Sequence, residues 1–267
     1  MRDIGAALGV RYLVDGSFQR VENRMRVRVQ LVAAANDSIV WSNEYDRPFG
    51  DVFAMQDEIA RGIASELRVY LGASRRGALA GRSTVNPEAH ALYLRGRYLF
   101  ERRDSSSLRK AREYFEQAIE KDPGFALAYA GLSDSYSHAA TFGYERARES
   151  MPKARTLALR SLELDSALVE AHSSLAFVSL FYDFDFPTAG REFAKALSLN
   201  PNYHSAHLSQ AWYYLAVDSA EAAVREARTA VTLEPFMIVP NVRLVTFLYL
   251  TKHYAEALQQ SQRTFEL

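Results

Sequence analysis

Two periodicities divide the chain. Between Tyr12 and Tyr45 apolar residues fall at every second position, and after residue 51 they fall at helical spacing. A short helical stub ends at Gly9, and residues 11–20 alternate with Tyr12, Val14 and Phe18 on one face. Met25, Val27, Val29, Leu31 and Ala33 then alternate with Arg24, Arg26, Arg28 and Gln30, which predicts a half-buried strand with a basic outer face. Glu22-Asn23-Arg24 and Asn36-Asp37-Ser38 are turn candidates, and Ile39, Trp41 and Tyr45 mark a third strand. Beyond Pro48-Phe49-Gly50-Asp51, the residues Val52, Met55, Ile59, Ile63, Leu67 and Tyr70 share one helical face. The pattern predicts helix–β–β–β–helix, an antiparallel meander with a helix packed across it.

Residues 72–86 are rich in Gly, Ser and Arg without a sustained apolar period, and read as a linker. From Pro87 onward the period is helical. Pro201 to Pro235 contains two helical patterns joined by a polar turn at Asp218-Ser219. Ala211, Ala223, Ala227 and Ala230 recur at helical spacing there, which lets two antiparallel helices approach closely. Pro235 ends the unit, since proline cannot continue a helix. Pro201 and Pro235 are 34 residues apart, and Pro123 and Pro201 are 78 apart, room for two units with some insertion. The phrase Ile119-Glu-Lys-Asp-Pro123 returns as Leu162-Glu-Leu-Asp-Ser166 and Leu197-Ser-Leu-Asn-Pro201. Each is followed by a related run: Phe125 to Tyr129, Leu168 to His172, Tyr203 to His207. Five units result, starting near Pro87, Phe125, Leu168, Tyr203 and Phe236. Three segments are predicted to interrupt them: a turn lengthened by Asp104 to Ser107, an insertion from His138 to Ser150, and an aromatic and acidic loop from Asp183 to Pro187. The fifth unit runs to Leu267 with no polar helix after it, so its last helix is expected to present an apolar flank.

The 34-residue period with its alanine, aromatic and proline positions resembles the tetratricopeptide repeat (TPR). The expected fold is mainly α: a right-handed TPR superhelix over 87–267, preceded by a small α+β domain over 1–71. That first region, through Gly9 to Phe18, Arg26 to Val32, Trp41 to Arg47 and Val52 to Ala60, resembles the amino-terminal domain of the Tol-system protein TolB. Such domains precede TPR arrays in bacterial regulators whose upstream part is an adenylyl cyclase, a serine/threonine kinase or a winged-helix domain. They normally begin with a further strand and helix. The resemblance therefore implies the carboxy-terminal part of a longer signalling or transcriptional regulator.

Composition narrows the function. With 32 basic and 32 acidic residues the formal charge is zero, which argues against a general nucleic-acid or anionic-membrane binder. The absence of cysteine excludes disulfides, cysteine nucleophiles and thiolate metal sites. No run of about 18 apolar residues is present to span a membrane. The first nine residues are too short and polar for a secretory signal. The expected compartment is the cytoplasm, or the periplasm if a membrane segment stands upstream.

Catalytic chemistry finds little support. His204 and His207 form a His-x-x-His pair, but His207 aligns with Tyr129 and His172 at a position that packs inside the array. No carboxylate or cysteine stands nearby at metal-ligand spacing. Asp183 and Asp185 read as a solvated loop before they read as an acid and base. Arg24, Arg26 and Arg28 could meet a polyanion, although Glu22, Glu44 and Asp46 offer cross-strand partners. Neither glycine-rich phosphate loops nor a nucleophile elbow occur. Catalytic, cofactor and metal residues are expected to be none.

The first helix of each TPR unit lines the concave surface. On that template the third unit offers Ser173, Phe177, Leu180 and Phe181; the fourth Leu208, Trp212 and Leu215; the fifth Val242, Thr246 and Tyr249. The second is more polar, with Asp134 and His138, and Gly96 leaves two registers open in the first. The partner-binding candidates are Phe177, Leu180, Phe181, Leu208, Trp212, Leu215 and Tyr249, an apolar and aromatic set suited to a hydrophobic segment of a protein partner or of a second copy. The same residues fit packing between helices equally well. A small-molecule sensor is the competing reading; it requires convergent polar groups in a concave site, and the sequence names none.

Overall fold

A computed structural model describes residues 10–22, 24–48, 55, 58, 59, 62, 63, 84 and 86–267. The chain divides into two compact units, Met1–Gly81 and Arg82–Leu267.

The first unit holds an antiparallel sheet of order β1-β2-β3, with β1 at Tyr12–Val21, β2 at Arg24–Ala33 and β3 at Ser38–Pro48. Val21 pairs with Arg24 across a two-residue turn, and Glu22 there has φ 52°, the left-handed conformation such hairpins use. One face of the sheet buries Met25, Val29 and Tyr45 against Met55, with Val27, Trp41, Ile59 and Ile63 packed around them. Met55, Ile59 and Ile63 stand four apart, so the helical face read from the sequence is the face that meets the sheet. The other predicted members of that helix, and the stub before Gly9, lie outside the described residues. Val14 and Phe18 on β1 are largely exposed, because the described helical residues cover β2 and β3 instead. The basic face of β2 is a ladder of cross-strand pairs. Arg24 and Arg26 meet Asp46 at 2.8 and 3.1 Å, and Arg28 meets Glu44 at 3.1 Å.

The second unit is an array of five helix pairs. They are α1 (Pro87–Phe100) with α2 (Ser105–Lys121), α3 (Ala126–Thr141) with α4 (Ala147–Leu164), and α5 (Val169–Val178) with α6 (Phe186–Leu199). Next come α7 (His204–Ala216) with α8 (Ala220–Leu233), and α9 (Ile238–Leu250) with α10 (Tyr254–Phe265). Alanine sets the distance between units: Ala118, Ala158, Ala196 and Ala230 on the second helices are fully buried, as are Ala128, Ala171 and Ala206 on the first helices that follow. Each within-pair turn contains one left-handed residue: Arg103, Gly143, Phe184, Asp218 and Lys252.

The three predicted interruptions take different forms from those expected. Ser105 to Ser107 form the first turn of α2 rather than a longer loop, because the Asp104 carboxylate accepts from the Ser107 amide at 2.9 Å and starts the helix there. Most of His138 to Ser150 is helical too; the extra residues lengthen α3 and α4 to 16 and 18 residues around a short turn. A π-helical turn at Ser179–Asp183 extends α5, and Asp185 then caps α6 by accepting from Thr188 at 3.0 Å. Asp183 pairs with Arg155 at 3.4 Å, so the two acids are structural.

At the last helix Tyr254, Leu258 and Phe265 are exposed.

The concave cavity of the helical array

Gly96 fixes the register that the sequence left open. A Cβ there would stand 2.6 Å from Cε1 of Phe115, so this face of α1 lies against α2. Arg97 and, one helical turn on, Phe100 and Glu101 therefore face the concave side. The same two rows continue through the array: Asp134 and His138 on α3, Ser173 and Phe177 on α5, Leu208 and Trp212 on α7, and Val242 on α9. Together with Arg103, Tyr203, His204 and Arg243 they enclose a cavity of about 560 Å³.

One wall is aromatic. His138 stacks on Phe177 with centroids 4.9 Å apart and 15° between planes, Phe177 packs on Phe181 at 4.5 Å, and Phe181 meets Trp212 edge-on at 6.3 Å. Trp212 also packs on Phe247 at 4.8 Å, and so joins the core of the last two units to the cavity.

The other wall is charged. Glu101 accepts from Arg97 at 3.1 Å and Arg103 at 3.4 Å, and the Arg103 guanidinium lies 4.0 Å over the Phe100 ring. Burial pushes the Asp134 carboxyl up to about 6; the Ser174 hydroxyl, donating at 2.5 Å, and the Arg97 charge pull it back. His138 is held well below its ordinary value by burial, reinforced by the charges of Arg103, Arg243 and Arg97. Burial alone lowers the Arg243 guanidinium, which lies 5.8 Å over the Trp212 ring.

Of the seven candidates, Phe177, Leu208 and Trp212 line this cavity, and Phe181 backs it. The other three are not among its lining residues. Leu180 is buried against Ala176, Ala189 and Phe193; Leu215 packs into the core between α7 and α9; Tyr249 is exposed and touches Tyr254 at 5.6 Å. Ser173, Asp134, His138 and Val242 are in place as read, whereas Thr246 is not among the lining residues. The cavity is not simply apolar. The sequence reading missed Arg97, Phe100, Arg103, Tyr203 and Arg243, because the register of α1 was open and the turn residues at 101–103 gave no periodic signal. His204 faces the cavity, while His207 is engaged by Glu226 at 2.6 Å and the Pro201 carbonyl at 2.9 Å, so the two rings do not converge.

Five stacked helix pairs around one concave cavity define a TPR array. Among solved structures, TTC0263, a thermophilic TPR protein of Thermus thermophilus, superposes with a TM-score of 0.55 at 16% identity, over 67% of this chain and 90% of that one. PilF of Pseudomonas aeruginosa gives a TM-score of 0.48 at 16% identity, over 67% of this chain and 76% of that one. At these identities the likeness is one of fold alone. In sequence, 133 residues, half of this chain, are 38% identical to a protein of Rhizobium meliloti (strain 1021) named "Putative adenylate cyclase 3". The matched stretch spans 23% of that protein's length. No family model matches the chain.

Proposed function

We propose that the chain is a non-enzymatic interaction module, the regulatory portion of a bacterial signalling protein. Its TPR array takes a partner segment on the concave face, with Phe177, Leu208 and Trp212 as the contact residues and Phe181 supporting them from behind. The observation that carries this reading is a cavity to which all five units contribute side chains, a surface that the assembled array creates. The partial match to a protein named as an adenylate cyclase supports a signalling setting, with the catalytic or DNA-binding part on another segment. The β-meander with its helical face fits the TolB-related domain that the sequence resembles, over residues 1–71, with 72–86 joining it to the array. Among the described residues no helix is long and apolar enough to cross a membrane.

Panning a random peptide library on the purified 267-residue chain tests the proposal. A convergent consensus whose titration shifts the NMR signals of Leu208 and Val242 supports it. Failure to enrich any sequence, or shifts confined to the outer helices, contradicts it. Light scattering over a hundredfold concentration range shows whether a second copy is the partner.

A small-molecule sensor is the second reading, and one observation favours it. The cavity supplies the convergent polar groups that such a site needs: Arg97, Arg103, Asp134, Tyr203 and His204 beside an aromatic wall.

A further inference from the structure

The charges of the cavity are unevenly answered. Arg97 and Arg103 share Glu101, and Arg97 also stands 3.9 Å from Asp134; Glu170, beside them but not lining the cavity, adds a further acid. Even so, the buried Nε of Arg103 has no hydrogen-bond partner among the described residues. Arg243, on the helix at the far end of the array, has neither an ion pair nor a hydrogen bond among the described residues. Its guanidinium lies 5.8 Å over the Trp212 ring.

Arg243 and Arg103 line the same cavity, although they come from the fifth and first units. The partly buried Arg243 guanidinium, with no countercharge among the described residues, is unfavourable, and a bound anion relieves that cost. Beside these cations stand Leu208, Trp212 and Phe177, a wall for an apolar body. The volume of about 560 Å³ lies in the range that encloses a small ligand rather than a folded partner.

We propose that the cavity binds a small amphipathic carboxylate, its acid group seated on Arg243 and Arg103 and its aromatic or aliphatic body against Trp212, Leu208 and Phe177. This rests on the sensor reading above and gives it a ligand class. Bound in this way, the ligand bridges the first and last helix pairs and ties the two ends of the array together.

The test uses two fluorescent probes with the same aromatic body: 8-anilinonaphthalene-1-sulfonate, which is anionic, and N-phenyl-1-naphthylamine, which is neutral. The anionic probe is expected to bind once per chain and to quench Trp212 emission in a Trp41→Phe background, with the neutral probe about tenfold weaker. Arg243→Gln should weaken the anionic probe about tenfold and leave the neutral one unchanged, and Arg243→Lys should retain most of the affinity. Arg243 makes no bond that folding depends on; Arg103→Gln gives an independent second variant, and near-UV circular dichroism confirms that each is folded. Displacement by 3-phenylpropanoate and not by its amide supports a free acid as ligand. Equal affinity for the two probes, or no response to Arg243→Gln, overturns the proposal. Displacement only by a peptide ending in a phenylalanine carboxylate also overturns it, in favour of a chain terminus. Peptide panning reads the interaction module independently, so either reading can fail while the other stands.

Discussion

His207 and Glu226 close the turn between the third and fourth units: Nδ1 lies 2.6 Å from the carboxylate, and Nε2 lies 2.9 Å from the carbonyl of Pro201. His172 repeats the geometry one unit earlier, with Glu192 at 2.6 Å and the Ser166 carbonyl at 3.0 Å. Asn241 donates to the Pro235 carbonyl at 3.0 Å and accepts from Gln260 at 2.7 Å, and the Tyr129 hydroxyl donates to the Pro123 carbonyl at 3.3 Å. Four side chains of three kinds thus fasten one backbone carbonyl, six residues back, at each junction between units.

At His207 burial lowers the imidazole pKa, but the Glu226 bond and the Pro201 carbonyl outweigh it and the net shift is upward. A raised histidine contributes stability fully below its unfolded value, and that contribution is lost as pH rises through the folded value. Glu226→Gln is expected to cost about 1.5 to 3 kcal/mol near pH 6 and less near pH 9. Thermal unfolding of both proteins across that range checks it; a constant difference would contradict the charged bond.

Asp134 acts in the same direction at lower pH. Its folded pKa of about 6 lies above the ordinary 3.8, so the protein loses stability as pH rises from the lower value through the higher. Asp134→Asn should flatten stability over that window. Removing the Ser174 hydroxyl, which lowers the pKa, should move the Asp134 midpoint above 6 in a carboxyl NMR titration. An unmoved midpoint would contradict the bond.

Gly96 and Gly131 hold Phe115 between them, each with a would-be Cβ within 3 Å of the ring. Alanine at Gly96 gains about 1 kcal/mol of helix propensity but overpacks a fully buried phenylalanine, at about 1 to 3 kcal/mol. Net destabilisation is expected by denaturant unfolding. Adding Phe115→Leu should recover part of it, whereas additive losses would contradict the steric cause.

The recurring Pro, Ala and aromatic positions made the five units legible, because close helix packing demands small residues at a fixed spacing, as at Ala118, Ala158, Ala196 and Ala230. The cross-strand partners of the arginine ladder were legible for the same kind of reason: alternation fixes which side chains share a face. Of the within-pair turns, the one at Asp218-Ser219 was legible from its polar residues, but the left-handed positions were not, since only Gly143 of the five is a glycine. The cavity was half legible. Phe177, Leu208 and Trp212 follow from the helical period, but Arg103 sits in a turn and Arg243 beside the groove column, where period says nothing. Leu180 and Leu215, three residues beyond Phe177 and Trp212, share their stripe in sequence. They pack into the core because a helical face wide enough to bury two neighbours turns only part of itself to the concave side.

Trp212 carries the central claim, since it belongs to both the core and the cavity. The decisive measurement is the affinity of a panned peptide for wild type and for Trp212→Ala, with the thermal midpoint of each recorded alongside. The account predicts a loss of roughly 2 kcal/mol in binding, about 30-fold. An unchanged affinity together with a thermal midpoint lower by several degrees would make Trp212 a core residue only, and would contradict the assignment of the concave face as the binding surface.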